Sequence, residues 1–238
     1  MATLTRCPGC AFNKSKKMKK QRYQMVPRIL TLGLLSGLFF TGTQQVVRAQ
    51  IGTGWHEFFP SSVIQTESSG VYNNFSGSTT SISYKGVRYS DSSGIETYQL
   101  VSTDSNRVER RYHDDYTSGH RQFQADIKIS SPSSGETVHQ IFNGSAGPYI
   151  LMREHSSNNG NIEVLGKTGA IASNLYGVYF RLNTINSFSS GNTYVYINGT
   201  LKWTGTHPSG SFYTKYGCYG TLGASSAKIQ FKNVHMYQ

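Results

Sequence analysis

Three short stretches concentrate the side chains able to do chemistry. RVERRYH (107–113) reads as extended chain, which places Arg107, Glu109, Arg111 and His113 on one face and Val108, Arg110 and Tyr112 on the other. Four ionisable groups in a row are costly in a core, so this face is expected to meet water or an anion. Arginine offers a planar fork that matches a carboxylate, and Glu109 can hold a neighbouring arginine in place. ETVHQIFNG (136–144) also reads as a strand, with Val138, Gln140 and Phe142 on one side and His139 and Ile141 on the other. FYTKYGCYG (212–220) sets Tyr213, Lys215, Gly217 and Tyr219 on one face, which supplies stacking surface, a cation and two phenol hydroxyls.

The remaining candidates are weaker. His56, His120, His155, His207 and His235 stand singly, with no two at metal-ligand spacing on a shared face. No Ser-His-Asp order and no phosphate-cradling glycine loop can be assembled. Glu109, Asp114 and Asp115 are close in sequence, but hydrolysis of a glycoside needs two carboxylates facing each other across a cleft, and the 136–144 strand offers only Glu136 at its edge. Cys218 lies in a strand-like run and reads as a small buried hydrophobe. Cys7 and Cys10 form a lone CPGC, with no second pair to complete a zinc site. Asn74, Asn143 and Asn198 each begin an Asn-x-Ser/Thr sequon.

The elements that must position these residues are strands. In RQFQADIKI (121–129), Phe123, Ala125, Ile127 and Ile129 point inward, and Gln122, Gln124, Asp126 and Lys128 point outward. GVYFRLNTI (177–185) and KIQFKNVHMY (228–237) follow the same rule. TYVYINGTLKW (193–203) is a hairpin, with Asn198-Gly199 supplying the two positive-φ positions of a type I′ turn. WHEFFPSSVIQ (55–65) is read as a turn or short helix broken by Pro60. About ten short strands separated by Ser/Gly/Asn clusters predict an all-β fold, a two-sheet antiparallel β-sandwich of jelly-roll, concanavalin A-like type. One sheet of such a sandwich presents its outer face as a groove, where a residue such as Gln140 needs no apolar surroundings.

Composition narrows the partners. The chain of 238 residues carries 23 Lys+Arg against 12 Asp+Glu, formally +11. Nine of the basic residues and none of the acids fall within residues 1–49, so the rest is nearly neutral, with 14 basic and 12 acidic side chains. That removes the electrostatic argument for nucleic acid. Residues 29–40, ILTLGLLSGLFF, form an apolar run behind a Lys/Arg-rich stretch, and Val47-Arg48-Ala49 offers a cleavage site before Gln50. Residues 1–49 are therefore expected to be a signal peptide with an extended basic n-region; a start at Met18 would give one of ordinary length. Residues 50–238 are expected to form a single secreted domain, monomeric and free of the membrane once the signal is removed. No cofactor or metal ligand set is expected, although loop carbonyls could hold a structural calcium without leaving a sequence mark.

Taken in order, Arg-x-Glu-x-Arg, Gln-Ile-x and Tyr-x-Lys-x-Gly-x-Tyr resemble the motif set of the jelly-roll alginate lyases, polysaccharide lyase family 7 and its relatives. The likeness runs over roughly residues 100–220 and extends to the related plant citrate-binding proteins. It implies an acidic polysaccharide partner and β-elimination on a uronate, with the substrate carboxylate neutralised, a base removing the adjacent proton and an acid protonating the leaving oxygen. By position, Arg107 and Gln140 would hold the carboxylate, and Tyr213 would be the acid and also a candidate base. Glu109, Arg111, Lys215 and Tyr219 would line the groove, with Arg111, Lys215 and Tyr219 lowering the phenol pKa. The sequence departs from the lyase pattern at one place: Phe142 stands where those enzymes carry the base histidine. His113 could replace it if its strand ran beside 138–143; Tyr213 could make both proton transfers; or the site could bind an acidic saccharide or a small carboxylate without turnover.

Overall fold

The computed structural model describes residues 54–220 and 222–238; the expected signal segment, 1–49, lies outside them. The strands, more numerous than the sequence suggests, are β1 (Glu57–Phe58), β2 (Ser62–Ser68), β3 (Val71–Ser76), β4 (Ser81–Tyr84), β5 (Val87–Ser92), β6 (Ile95–Leu100), β7 (Ser105–Tyr112), β8 (His120–Ser130), β9 (Thr137–Asn143), β10 (Gly147–His155), β11 (Asn161–Val164), β12 (Ala170–Ala172), β13 (Tyr179–Ser187), β14 (Asn192–Ile197), β15 (Thr200–Thr206), β16 (Phe212–Tyr219) and β17 (Ala227–Tyr237). They form two antiparallel sheets, neither of them closed. One runs β15-β14-β13-β8-β17-β6-β5-β4 with β1 on β17, and the other runs β12-β11-β10-β9-β16-β7-β2-β3. This is the β-sandwich jelly roll that the strand patterns predict.

Turn chemistry explains the extra strands. Asn198-Gly199 joins β14 to β15 with φ of 51° and 78°, as the hairpin reading requires. Ser69-Gly70, Lys85-Gly86 and Ser93-Gly94 make the same two-residue connection, all at positive φ. Serine and lysine are less telling than asparagine before such a glycine, so these hairpins were not legible. Within residues 55–65 the chain forms β1 and the start of β2 rather than a helix. Pro60 lies between those two strands, where its missing N–H interrupts no ladder.

The core lies between the sheets. Phe123, Ala125, Ile127 and Ile129 of β8 are buried there, facing Ile64, Val108, Ile141, Tyr216 and Cys218 of the other sheet. His139 joins the layers: its ring stacks on Phe123 at 4.3 Å, and its Nε2 lies 2.9 Å from Thr184 Oγ1 on β13. Burial pushes its pKa down to about 3, so it is a neutral core residue. Asn143 is equally committed. Its Oδ1 accepts from the Ser145 and Ala146 N–H groups, and its Nδ2 donates to Ser209 O at 3.0 Å, which leaves that sequon buried.

Glu136 and Glu154 are neighbours, the Glu136 N–H donating to Glu154 Oε1 at 3.4 Å. Both side chains are buried, and burial followed by the contact with Glu154 raises Glu136 to about 10. Glu136 therefore holds a proton in the folded chain that its ordinary value of 4.5 would release on unfolding. The stability this contributes is complete below that ordinary value and is lost as pH rises toward about 10. Glu136→Gln should flatten the alkaline limb of a pH–stability curve measured by denaturant unfolding. An unchanged limb would mean that Glu136 does not hold that proton in the folded chain.

Candidate active site

The three stretches become neighbours in space. β16 lies between β7 and β9, so all three face-forming rows lie on adjacent strands of one sheet. Register sets Lys215 beside Arg111 and Gln140, Gly217 beside Glu109, Tyr219 beside Arg107 and Tyr213 beside Phe142. Gly217 makes the close approach possible. Its φ is 146°, and a Cβ there would stand 2.5 Å from Val108 O and 2.7 Å from Glu109 Cα.

Glu109 is the hub. It is 0% exposed, as against 1% for Gln140 and 4% for Lys215, so the floor of the site is dry although it faces away from the core. The sequence reading expected Glu109 to meet water; here the rim residues cover it. Its carboxylate accepts from Gln140 Nε2, lies 3.1 Å from Arg107 Nη1 and 3.9 Å from Lys215 Nζ. Burial still holds its pKa above the usual carboxylate value, with Lys215, Arg107 and Gln140 opposing. Burial likewise lowers Lys215, against the pull of Glu109.

Above this floor the cations lie against aromatic rings. The Arg107 guanidinium is 4.2 Å from the Tyr219 ring centre and 5.5 Å from that of Tyr72, and its Nε is 3.4 Å from Glu67. Arg111 lies 4.1 Å over Tyr213, and Tyr213 stacks on Phe142 at 5.1 Å. Lys215 Nζ is 5.4 Å from the Phe142 ring centre. A cation–phenol arrangement of this kind was expected to lower the Tyr213 pKa. The structure gives the opposite sign: burial outweighs the contact with Arg111, and the phenol sits above its ordinary value.

Two further expectations change. β7 does not run beside β9, since β16 separates them, so His113 is not placed over the Phe142 position. Instead His113 Nδ1 lies 2.6 Å from Arg111 Nη1. Arginine can only donate, so Nδ1 accepts and the ring proton sits on Nε2, which leaves no free basic nitrogen in this arrangement. The nearby acids are also engaged. Both carboxylate oxygens of Asp115 accept from Arg111 Nη2, at 3.0 and 3.1 Å, and buried Asp114 accepts from Thr214 N and Oγ1, with burial raising it to about 6. They do not form the facing carboxylate pair of a glycosidase with Glu109. Among the described residues, no group of three or more His, Cys, Asp or Glu could hold a metal ion.

Sequence reasoning missed the β2 and β3 side of the site. Val63, Gln65 and Glu67 pair with Arg111, Glu109 and Arg107, and Asn74 and Tyr72 follow beside Gln65 and Glu67. The alternation in VIQTES was the available signal, but Thr66 and Ser68 make the inner face polar as well and hide the period.

No protein-family model matches the chain. Solved structures align over most of it. The alginate lyase AlgAT5 from polysaccharide lyase family 7 superposes with a TM-score of 0.59 at 18% identity, covering 75% of this chain and 95% of its own. An alginate lyase from Corynebacterium sp. gives 0.62 at 15% identity with the same coverage. The fold is that of the alginate lyases. The lyase AlyC3, solved in complex with dimannuronate, shares this lyase fold at a TM-score of 0.58 and 11% identity, covering 74% of this chain and 88% of its own. In sequence, a citrate-binding protein of Hevea brasiliensis is 28% identical over 128 residues, a match that spans about half the length of either protein.

Proposed function

We propose that this protein is a secreted, monomeric lyase that cleaves a polyuronide, alginate or a glucuronan, by β-elimination. The observation that carries the reading is the strand register, which sets a guanidinium, a carboxamide, an ammonium and a phenol on one face around a single buried carboxylate. Arg107 and the second amide hydrogen of Gln140 neutralise the uronate carboxylate, so that the adjacent carbon can lose its proton. With Phe142 in the base position and His113 tied to Arg111, Tyr213 makes both transfers on one side of the sugar. As phenolate it takes the carbon-bound proton while the C–O bond to the leaving sugar breaks. It then returns that proton to the departing oxygen, which leaves a new carbon–carbon double bond. Lys215 and Arg111 stabilise the charge that passes through the phenolate.

The test is ultraviolet absorbance during incubation with alginate, polymannuronate, polyguluronate and glucuronan separately. A rise on one polymer supports elimination and names the substrate. Phe142 and the partial likeness to a citrate-binding protein favour a second reading, a site that holds an acidic saccharide or a small carboxylate without turnover. A flat trace on all four polymers, together with measurable binding of one of them or of citrate, would decide for it.

A further inference from the structure

We infer that binding of a carboxylate ligand on this face is coupled to uptake of one proton by Glu109. The inference rests on the carboxylate-binding part of the proposed function, which elimination and simple binding share. The groups that face Glu109 come from every neighbouring strand: Arg107 and Arg111 from β7 itself, Lys215 and Tyr213 from β16, Gln140 from β9, Glu67 from β2 and Tyr72 from β3. The cations Arg107, Arg111 and Lys215 are already matched by Glu67, Glu109 and Asp115, so the charges of the cluster balance.

An incoming carboxylate claims Arg107 and Gln140, the same donors that hold Glu109. It adds a negative charge that no spare cation in the cluster offsets. The three acids differ in how they can respond. The side chains of Glu67 and Asp115 are 25% and 48% exposed, so water can screen them. The Glu109 side chain is 1% exposed, and a buried carboxylate whose donors are shared has no solvent to turn to. Protonation removes the excess charge where it costs most, and it leaves a carbonyl oxygen that still accepts from Gln140. The new O–H can also donate. The raised pKa of Glu109 in the free protein runs in the same direction. Because the bound form carries the extra proton, affinity weakens as pH rises.

Titration calorimetry tests this with saturated oligouronates of mannuronate, guluronate and glucuronate, whose carboxylates are ionised at neutral pH. The Tyr213→Phe protein is used so that no turnover adds heat. The observed enthalpy, measured in buffers of low and high ionisation enthalpy, should give a slope of about one proton taken up per ligand. In Glu109→Gln added to that background the slope should fall to near zero with binding retained; in His113→Ala it should be unchanged. Binding with zero slope in the Glu109-containing protein overturns the inference, as does a slope abolished by His113→Ala instead. Should Glu109→Gln fail to fold, the slope itself and the loss of affinity with rising pH remain decisive. Absence of binding to every oligouronate overturns the carboxylate reading and the inference together, a result distinct from binding without proton uptake.

Discussion

Tyr213→Phe is expected to lower turnover by about 10²–10⁴-fold, the usual contribution of a positioned acid–base group, while saccharide affinity changes little. The substitution removes only the hydroxyl. The ring keeps its stacking on Phe142 and its place beneath Arg111, so the proposed polymer-binding face persists. The raised phenol pKa adds a second signature. If Tyr213 must become phenolate to take the proton, the active fraction of the enzyme–polymer complex grows about tenfold for each pH unit below its pKa, so kcat at saturating polymer should climb through the neutral and alkaline range. Steady-state rates from the absorbance assay over that range check both expectations. Full activity in Tyr213→Phe, or a pH profile that is flat there, would remove Tyr213 from the proton transfers.

Arg110→Ala should cost about 3–5 kcal/mol of stability, seen as a drop of roughly 10 °C in the thermal midpoint. Arg110 sits between the outward-facing Glu109 and Arg111 in sequence but points to the other side of β7. There its Nη1 donates to Ser62 Oγ and Gly77 O, its Nη2 to Tyr89 Oη, all at 2.8 Å, and its Nε to Glu96. Glu96 also accepts from Tyr98 and from Tyr216, at 3.0 Å. This network ties β7 and β2 of one sheet to β5 and β6 of the other, so truncation leaves a carboxylate and several hydroxyls without their cation. A midpoint within a degree or two of wild type would show that water replaces the guanidinium at no cost. Arg110 is thus the structural member of a strip whose other basic residues lie on the outer face of the sheet.

The sequence by itself determined the fold class, because period-two alternation in 121–129 and 228–237 and the Asn198-Gly199 turn are local consequences of strand and hairpin geometry. It also determined which side chains share a face within each of the three stretches, since alternation along one strand needs no partner. His139 turning away from Gln140 into the core follows from that rule alone. What only the tertiary structure decided depends on contacts between strands. The placing of β16 between β7 and β9 brings Tyr213, Arg107 and Gln140 together and leaves His113 on Arg111. The contribution of Gln65, Glu67 and Tyr72 required β2 and β3 to close one side of the face. Burial settled the charges: Glu109 and Lys215 look like a solvated strip in one dimension and become a dry ion cluster once the rings of their neighbours cover them. The sign of the Tyr213 shift belongs to the same class, because a list of nearby cations predicts a lowered pKa, while the desolvation that raises it exists only when the sheet is assembled.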